Sequence, residues 1–78
     1  MDTLRDVIAE ILRIDASKVT PDLAIHQTAT WNSLTHIELV VAIEDRFRIQ
    51  LTEDEIVAMT TVDKIEKTLA ARGAIVKN

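Results

Sequence analysis

Apolar positions recur at helical spacing along much of the chain. Leu4, Val7, Ile8, Ile11 and Leu12 stand at i, i+3, i+4, i+7 and i+8, the pattern of one buried helical stripe. They predict a first helix over about Thr3 to Arg13, with Asp2 as its N-cap. A second helix is expected over about Leu34 to Arg46, capped by Asn32 or Ser33. A short third, Glu53 to Ala58, is introduced by Thr52 and Glu55, a T-x-x-E capping box. Val62, Ile65 and Leu69 mark the buried stripe of a fourth, about Val62 to Arg72, opened by Thr60 or Thr61 and closed by Gly73 at C′. Asp15 to Trp31 has no sustained period. Pro21 disfavours helix at Thr20, and a single turn fits Ala16 to Lys18. A connection this long in a small domain is usually functional or disordered; Val19, Leu23 and Ile25 are expected to pin it to the core as an ordered crossover. Ala74 to Asn78 should fray. The fold class is therefore all-α: an antiparallel four-helix bundle with a long loop between helices 1 and 2 and a short helix 3.

The second helix has two apolar faces. At 100° per residue, Leu39, Val40, Ile43 and Phe47 point to one side, which must be core. Leu34, Glu38, Val41 and Asp45 fall within about 60° of one another on the opposite side. Two carboxylates thus alternate with two bulky apolar residues on what should be the wet face. A solvated face with incidental aliphatics is one reading. A docking surface is the other, with Leu34 and Val41 as anchors and Glu38, Glu44 and Asp45 as steering charges. Ser33 also has two readings. Serine is a preferred N-cap, and a helix N-terminus also favours a phosphate, so a phosphodiester on Ser33 would be well placed.

Composition narrows the classes. The chain has 78 residues, 13 acids against 9 bases, a formal charge of −4 and no cysteine. Residues 1–78 are read as one domain. The acidic balance argues against nucleic acid and anionic membrane as partners and favours basic protein partners. The longest apolar run, Leu39 to Ile43, is too short for a bilayer, and the acidic N-terminus has no signal core. A soluble cytoplasmic monomer is expected. The absence of cysteine excludes disulfides and thiolate metal sites, so any thiol chemistry must be borrowed. His26 and His36 lack close metal-ligand spacing. His36 projects to the core side of its helix and is expected to be neutral and hydrogen-bonded, with a contact to a group on Ser33 as the alternative. Trp31 is read as a plug over the core rather than a stacking platform for a ligand. Ser33 and His36 have no orienting residue or oxyanion hole with them, so the chain is not read as an enzyme.

"NSL" at Asn32–Ser33–Leu34, and the continuous stretch "SLTHIELVVAIEDRFRIQLTEDEIVAMTTVDKI" after it, resemble the acyl carrier protein family. That family opens its second helix with D-S-L, followed by an "ELV" core, an acidic pair before a phenylalanine, an acidic third helix and "TV" opening the fourth. "VTPDLAI" is similar to the family's loop, and the likeness covers about Leu4 to Ala71. It implies that Ser33, flanked by Asn32 and Leu34, carries 4′-phosphopantetheine taken from coenzyme A, and that the arm supplies the missing thiol and bears an acyl group as a thioester. It implies a phosphopantetheinyl transferase and acyl-loading, condensing or acyltransferase enzymes as partners, docking on Leu34, Glu38, Val41, Glu44 and Asp45. It further implies that the buried stripes can part around an acyl chain, with Trp31 and His36 as contacts to arm or cargo. Three features depart from the family: Asn32 replaces its aspartate, Arg46 and Arg48 follow the acidic pair, and Trp31 and His36 flank the motif in place of smaller residues. The last of these suits a dedicated carrier in a specialised fatty-acid, polyketide or related pathway. A peptidyl or aminoacyl carrier and an unmodified docking module of the same fold are the alternatives.

Overall fold

The structure, a computed structural model, describes residues 3–75. Four α-helices follow in order: α1 (Thr3–Leu12), α2 (Ser33–Phe47), α3 (Glu53–Ala58) and α4 (Val62–Ala71), with one 3₁₀ turn at Ala16–Lys18 in the long loop. The all-α four-helix architecture expected from the pattern is the one found. The expected cap at Asp2 lies outside the described residues. Leu4, Val7, Ile8 and Leu12 of α1 meet Leu39, Val40 and Ile43 of α2 and Val62, Ile65 and Leu69 of α4 in one core, completed by Val19, Trp31, Leu51 and Met59. The end of α1 lies against the start of α2, as Glu10 to Arg13 share a groove with Asn32, Leu34 and Thr35. The two helices are therefore antiparallel.

Three helices end in the same way. Arg13, Arg48 and Gly73 have φ of 57°, 55° and 73°. The N–H of the residue after each reaches back to a carbonyl five residues earlier: Ile14 to Ala9 (3.1 Å), Ile49 to Glu44 (3.2 Å) and Ala74 to Leu69 (2.9 Å). Ile14, Ile49 and Ala74 then pack against the core. This is the left-handed termination that satisfies orphan carbonyls and folds an apolar residue back onto the helix. It corrects three expected boundaries. α1 stops at Leu12 because Arg13 is left-handed. α2 runs on to Phe47 because Arg48 is its terminator. α4 stops at Ala71, with Arg72 as C-cap. It also corrects the expected fraying at Ala74 and Ile75, which pack on the core; the rest of that tail lies outside the described residues.

The long loop is tied to the start of α4. A helix leaves its first N–H groups without internal partners. Here Pro21 and Leu23 accept from Asp63 and Val62 (both 3.0 Å), and the Ile25 N–H donates to the Thr60 carbonyl at 2.9 Å. Thr61, not Thr60, is the N-cap, its hydroxyl accepting from the Lys64 N–H at 3.1 Å. Val19 is buried, and Leu23 and Ile25 are half-buried against the core, so the loop is the ordered crossover expected. No described helix is long and apolar enough to cross a membrane.

Candidate functional site

Asn32, not Ser33, caps α2. Its backbone is extended, and its Oδ1 accepts from the N–H groups of Leu34 (3.0 Å) and Thr35 (3.1 Å). Two backbone donors on one atom decide which end of the amide is oxygen. The Nδ2 end then donates to the Ala29 carbonyl at 3.4 Å, a contact a carboxylate could not make. Thr35 completes the reciprocal cap. Its hydroxyl accepts from the Asn32 N–H at 2.9 Å and donates to the Thr30 carbonyl at 2.6 Å. Ser33 is left as the first helical residue, exposed to solvent. The capping role that competed for its hydroxyl belongs to its neighbour.

Behind Ser33 the chain builds a buried polar relay. Trp31 is wholly buried and His36 is 8% exposed. The indole Nε1–H donates to His36 Nδ1 at 3.1 Å. Indole nitrogen can only donate, so Nδ1 must be the bare nitrogen and Nε2 carries the proton. Nε2–H then donates to the Ile56 carbonyl at 2.9 Å. The rings lie nearly parallel, 23° apart, with centroids separated by 6.1 Å. One neutral imidazole thus joins the loop, α2 and α3. The expectation of a neutral, hydrogen-bonded His36 and of Trp31 as a core plug matches this geometry. Among the described residues, no buried side-chain polar atom lacks a partner.

The second face of α2 is exposed along its length. Leu34 is 72% and Val41 59% exposed, and Glu38 and Asp45 stand in solvent beside them. Leu34 and Glu38 also form one wall of an open groove of about 520 Å³, facing Glu10 and Ile11 of α1 and Arg13 just beyond it. Glu44 is placed differently. It is half-buried, and its Oε2 accepts from the Leu51 N–H at 2.8 Å, tying the end of α2 to the connection before α3. Two exposed apolar residues went unread in the sequence: Ile37 and Val57, 54% and 74% exposed. Ile37 follows His36 and Val57 follows Ile56, so they flank the relay's last hydrogen bond. Ile37 resembles its core neighbours in type, and only its helical angle sets it apart. His26 is an exposed loop residue at φ 67°, its N–H bonded to the Trp31 carbonyl at 2.7 Å. Among the described residues, no three His, Cys, Asp or Glu side chains gather where they could hold a metal.

Glu55 of α3 serves two partners. It closes the capping box by accepting from the Thr52 N–H at 2.9 Å. It also takes Arg72, whose Nε–H donates to Oε2 at 2.8 Å and whose Nη2 pairs with Oε1. The Arg72 hydrogen bonds first, and the Thr52 N–H second, hold the Glu55 carboxyl down at about 2.

Comparison with known proteins agrees with this architecture. The sequence pattern of the family described as "Phosphopantetheine attachment site" matches residues 2–69. Acyl carrier protein 3 of Ralstonia nicotianae is 33% identical over 78 residues, covering 95% of this chain and 90% of that protein. Acyl carrier protein MbtL of Mycobacterium tuberculosis is 33% identical over 70 residues, covering 90% and 83%. An acyl carrier protein of Streptomyces coelicolor is 34% identical over 71 residues, covering 90% and 77%. With a four-helix architecture and a family pattern spanning nearly its whole length, this chain belongs to the acyl carrier protein family, the bearers of phosphopantetheine.

Proposed function

We propose that Ser33 is the attachment point of 4′-phosphopantetheine and that the chain acts as a single cytoplasmic carrier unit, not a catalyst. The observation that supports this most is the division of labour at the start of α2. Asn32 makes the cap and Ser33 does not, so the hydroxyl is exposed and free of a structural duty. The residues fit the group. A phosphodiester on the first helical residue would sit at the positive end of the α2 dipole, and the arm would supply the thiol that a chain without cysteine lacks. Acyl groups would be borne there as thioesters and passed between enzymes of a specialised fatty-acid, polyketide or related pathway.

The exposed stripe of Leu34, Glu38, Val41 and Asp45 is the proposed docking face for the phosphopantetheinyl transferase and for acyl-loading, condensing or acyltransferase enzymes. Glu44 would add its charge from a position already held by Leu51. A net charge of −4 favours basic faces on those partners.

The test is intact mass after incubation with coenzyme A and a broad-specificity phosphopantetheinyl transferase. The wild-type chain should gain one phosphopantetheine and Ser33→Ala none, with equal helicity in the two. Loading of the Ser33→Ala variant would sink the site. Asn32→Asp should keep both cap bonds and load faster if transferases read a carboxylate there. Failure of both wild type and Asn32→Asp, beside a control carrier that loads, would favour an unmodified docking module.

A further inference from the structure

The relay from Trp31 through His36 to Ile56 is built from residues on either side of Ser33 in the chain. Trp31 precedes the serine by two residues, and His36 follows it by three, a spacing that sets side chains on neighbouring helical positions. On one flank α2 is packed against α1. On the other, the seam toward α3 is spanned by His36, whose Nε2–H holds the Ile56 carbonyl at 2.9 Å. That bond ties α2 to α3 across the seam, so a group tethered to Ser33 that parted the two helices here would have to break it. Entry would cost the Ile56 carbonyl its imidazole partner and leave the buried Trp31 indole N–H without one, which is costly for a buried polar group. It would also have to displace an indole that is wholly buried, in an interior that is close-packed.

We propose that this relay is a latch that keeps the cargo of Ser33 outside the bundle, making Trp31 and His36 cargo-selecting residues. The inference rests on the attachment reading above and names its cargo class: short or polar acyl groups, which need no apolar shelter, rather than long alkyl chains. Outside the latch, the tethered group meets solvent and the exposed side chains of Ile37 and Val57. Trp31 and His36 act here by closing a path, not by reacting.

The experiment loads the full chain from acetyl-coenzyme A and from octanoyl-coenzyme A, with intact mass confirming each product. Trp31 is the sole tryptophan, so its indole N–H gives one resonance that reports the latch directly. The expected result is an indole signal that stays in place between the acetyl and octanoyl forms. Hydroxylamine should also cleave the two thioesters in the same rate ratio as it does the free acetyl and octanoyl pantetheine thioesters. A displaced indole signal, or octanoyl cleavage slowed severalfold beyond that ratio, overturns the proposal. His36→Ala and Trp31→Leu open the seam in different ways. At least one should slow octanoyl cleavage while leaving acetyl cleavage unchanged, and no slowing in either overturns the latch. If the wild-type chain gains no mass at all, the attachment reading fails and this inference falls with it.

Discussion

Helix α3 is held from two sides by two unlike tethers, on adjacent residues of a six-residue element. Ile56 offers its carbonyl to a neutral imidazole that is buried and backed by a buried indole. Glu55 offers a carboxylate to a guanidinium, and both side chains are partly open to solvent. A helix this short does not persist alone, so both contacts bear on its position. The uncharged one should matter more. Water competes for both members of the Glu55–Arg72 pair, and salt screens it. Water competes less for His36, which is 8% exposed and backed by a buried indole whose alternative to the hydrogen bond is an unsatisfied polar group. Solvent access, rather than formal charge, sets the rank of the two tethers.

The largest effect should come from removing the buried side. Trp31→Ala deletes a wholly buried indole, and such truncations cost about 3–5 kcal/mol. That is a large share of the ~5–15 kcal/mol typical of a small domain. Urea denaturation should show a strongly lowered midpoint, and an unchanged one would mean that the indole does not fill the core. His36→Ala comes next. It strips the acceptor from the indole and the donor from Ile56, and leaving buried polar groups unpaired costs about 1–3 kcal/mol. Its distinguishing readout is local. The amides that close α3, the Ile56 N–H and the N–H of its C-cap Met59, should exchange faster with solvent, whereas amides in the middle of α1 should slow or quicken only with global stability. Equal changes in both helices would remove His36 as the specific anchor of α3.

The tethers also mark where the sequence stops being legible. Period alone carries the helices and their order, since Leu4, Val7, Ile8 and Leu12, or Val62, Ile65 and Leu69, have only one face to bury. Termination was legible at Gly73, whose residue type advertises a left-handed backbone. At Arg13 and Arg48 it was not, because docking of Ile14 and Ile49 imposes that conformation on side chains which give no sign of it. The motif Asn32–Ser33–Leu34 was readable, but two adjacent cap-forming residues left the cap undecided. Only the backbone geometry of Asn32 resolves it and releases Ser33. The exposed stripe of α2 was visible on a helical wheel, yet Glu44 had a tertiary partner in Leu51 that no wheel contains. The relay was hidden for the same reason. Trp31 and His36 are five apart across a helix start, which is not a helical contact spacing, and Ile56 is brought in by tertiary folding.

The smallest effect, and the sharpest in form, belongs to the exposed tether. Glu55→Gln keeps an oxygen for the Thr52 N–H, so it removes the charge while sparing the capping box. The Glu55 carboxyl is lowered to about 2 from an ordinary 4.5, chiefly by the Arg72 hydrogen bonds. A group with a depressed folded-state value contributes stability above its unfolded value and loses it as pH falls toward the folded one. The wild-type advantage over Glu55→Gln should therefore be full at neutral pH. It should begin to fade as the pH drops through about 4.5 and be gone near 2. Because the pair is partly exposed, added salt at neutral pH should shrink the same advantage. Thermal melts of the two chains across that range give the comparison directly. His36→Ala, measured in parallel, should keep its cost in high salt, because that tether joins neutral groups, which salt does not screen. No advantage for Glu55 over Gln at any pH or salt would mean that the carboxylate is acting only through its cap. The contrast between the two sides of α3 would then reduce to a difference in packing.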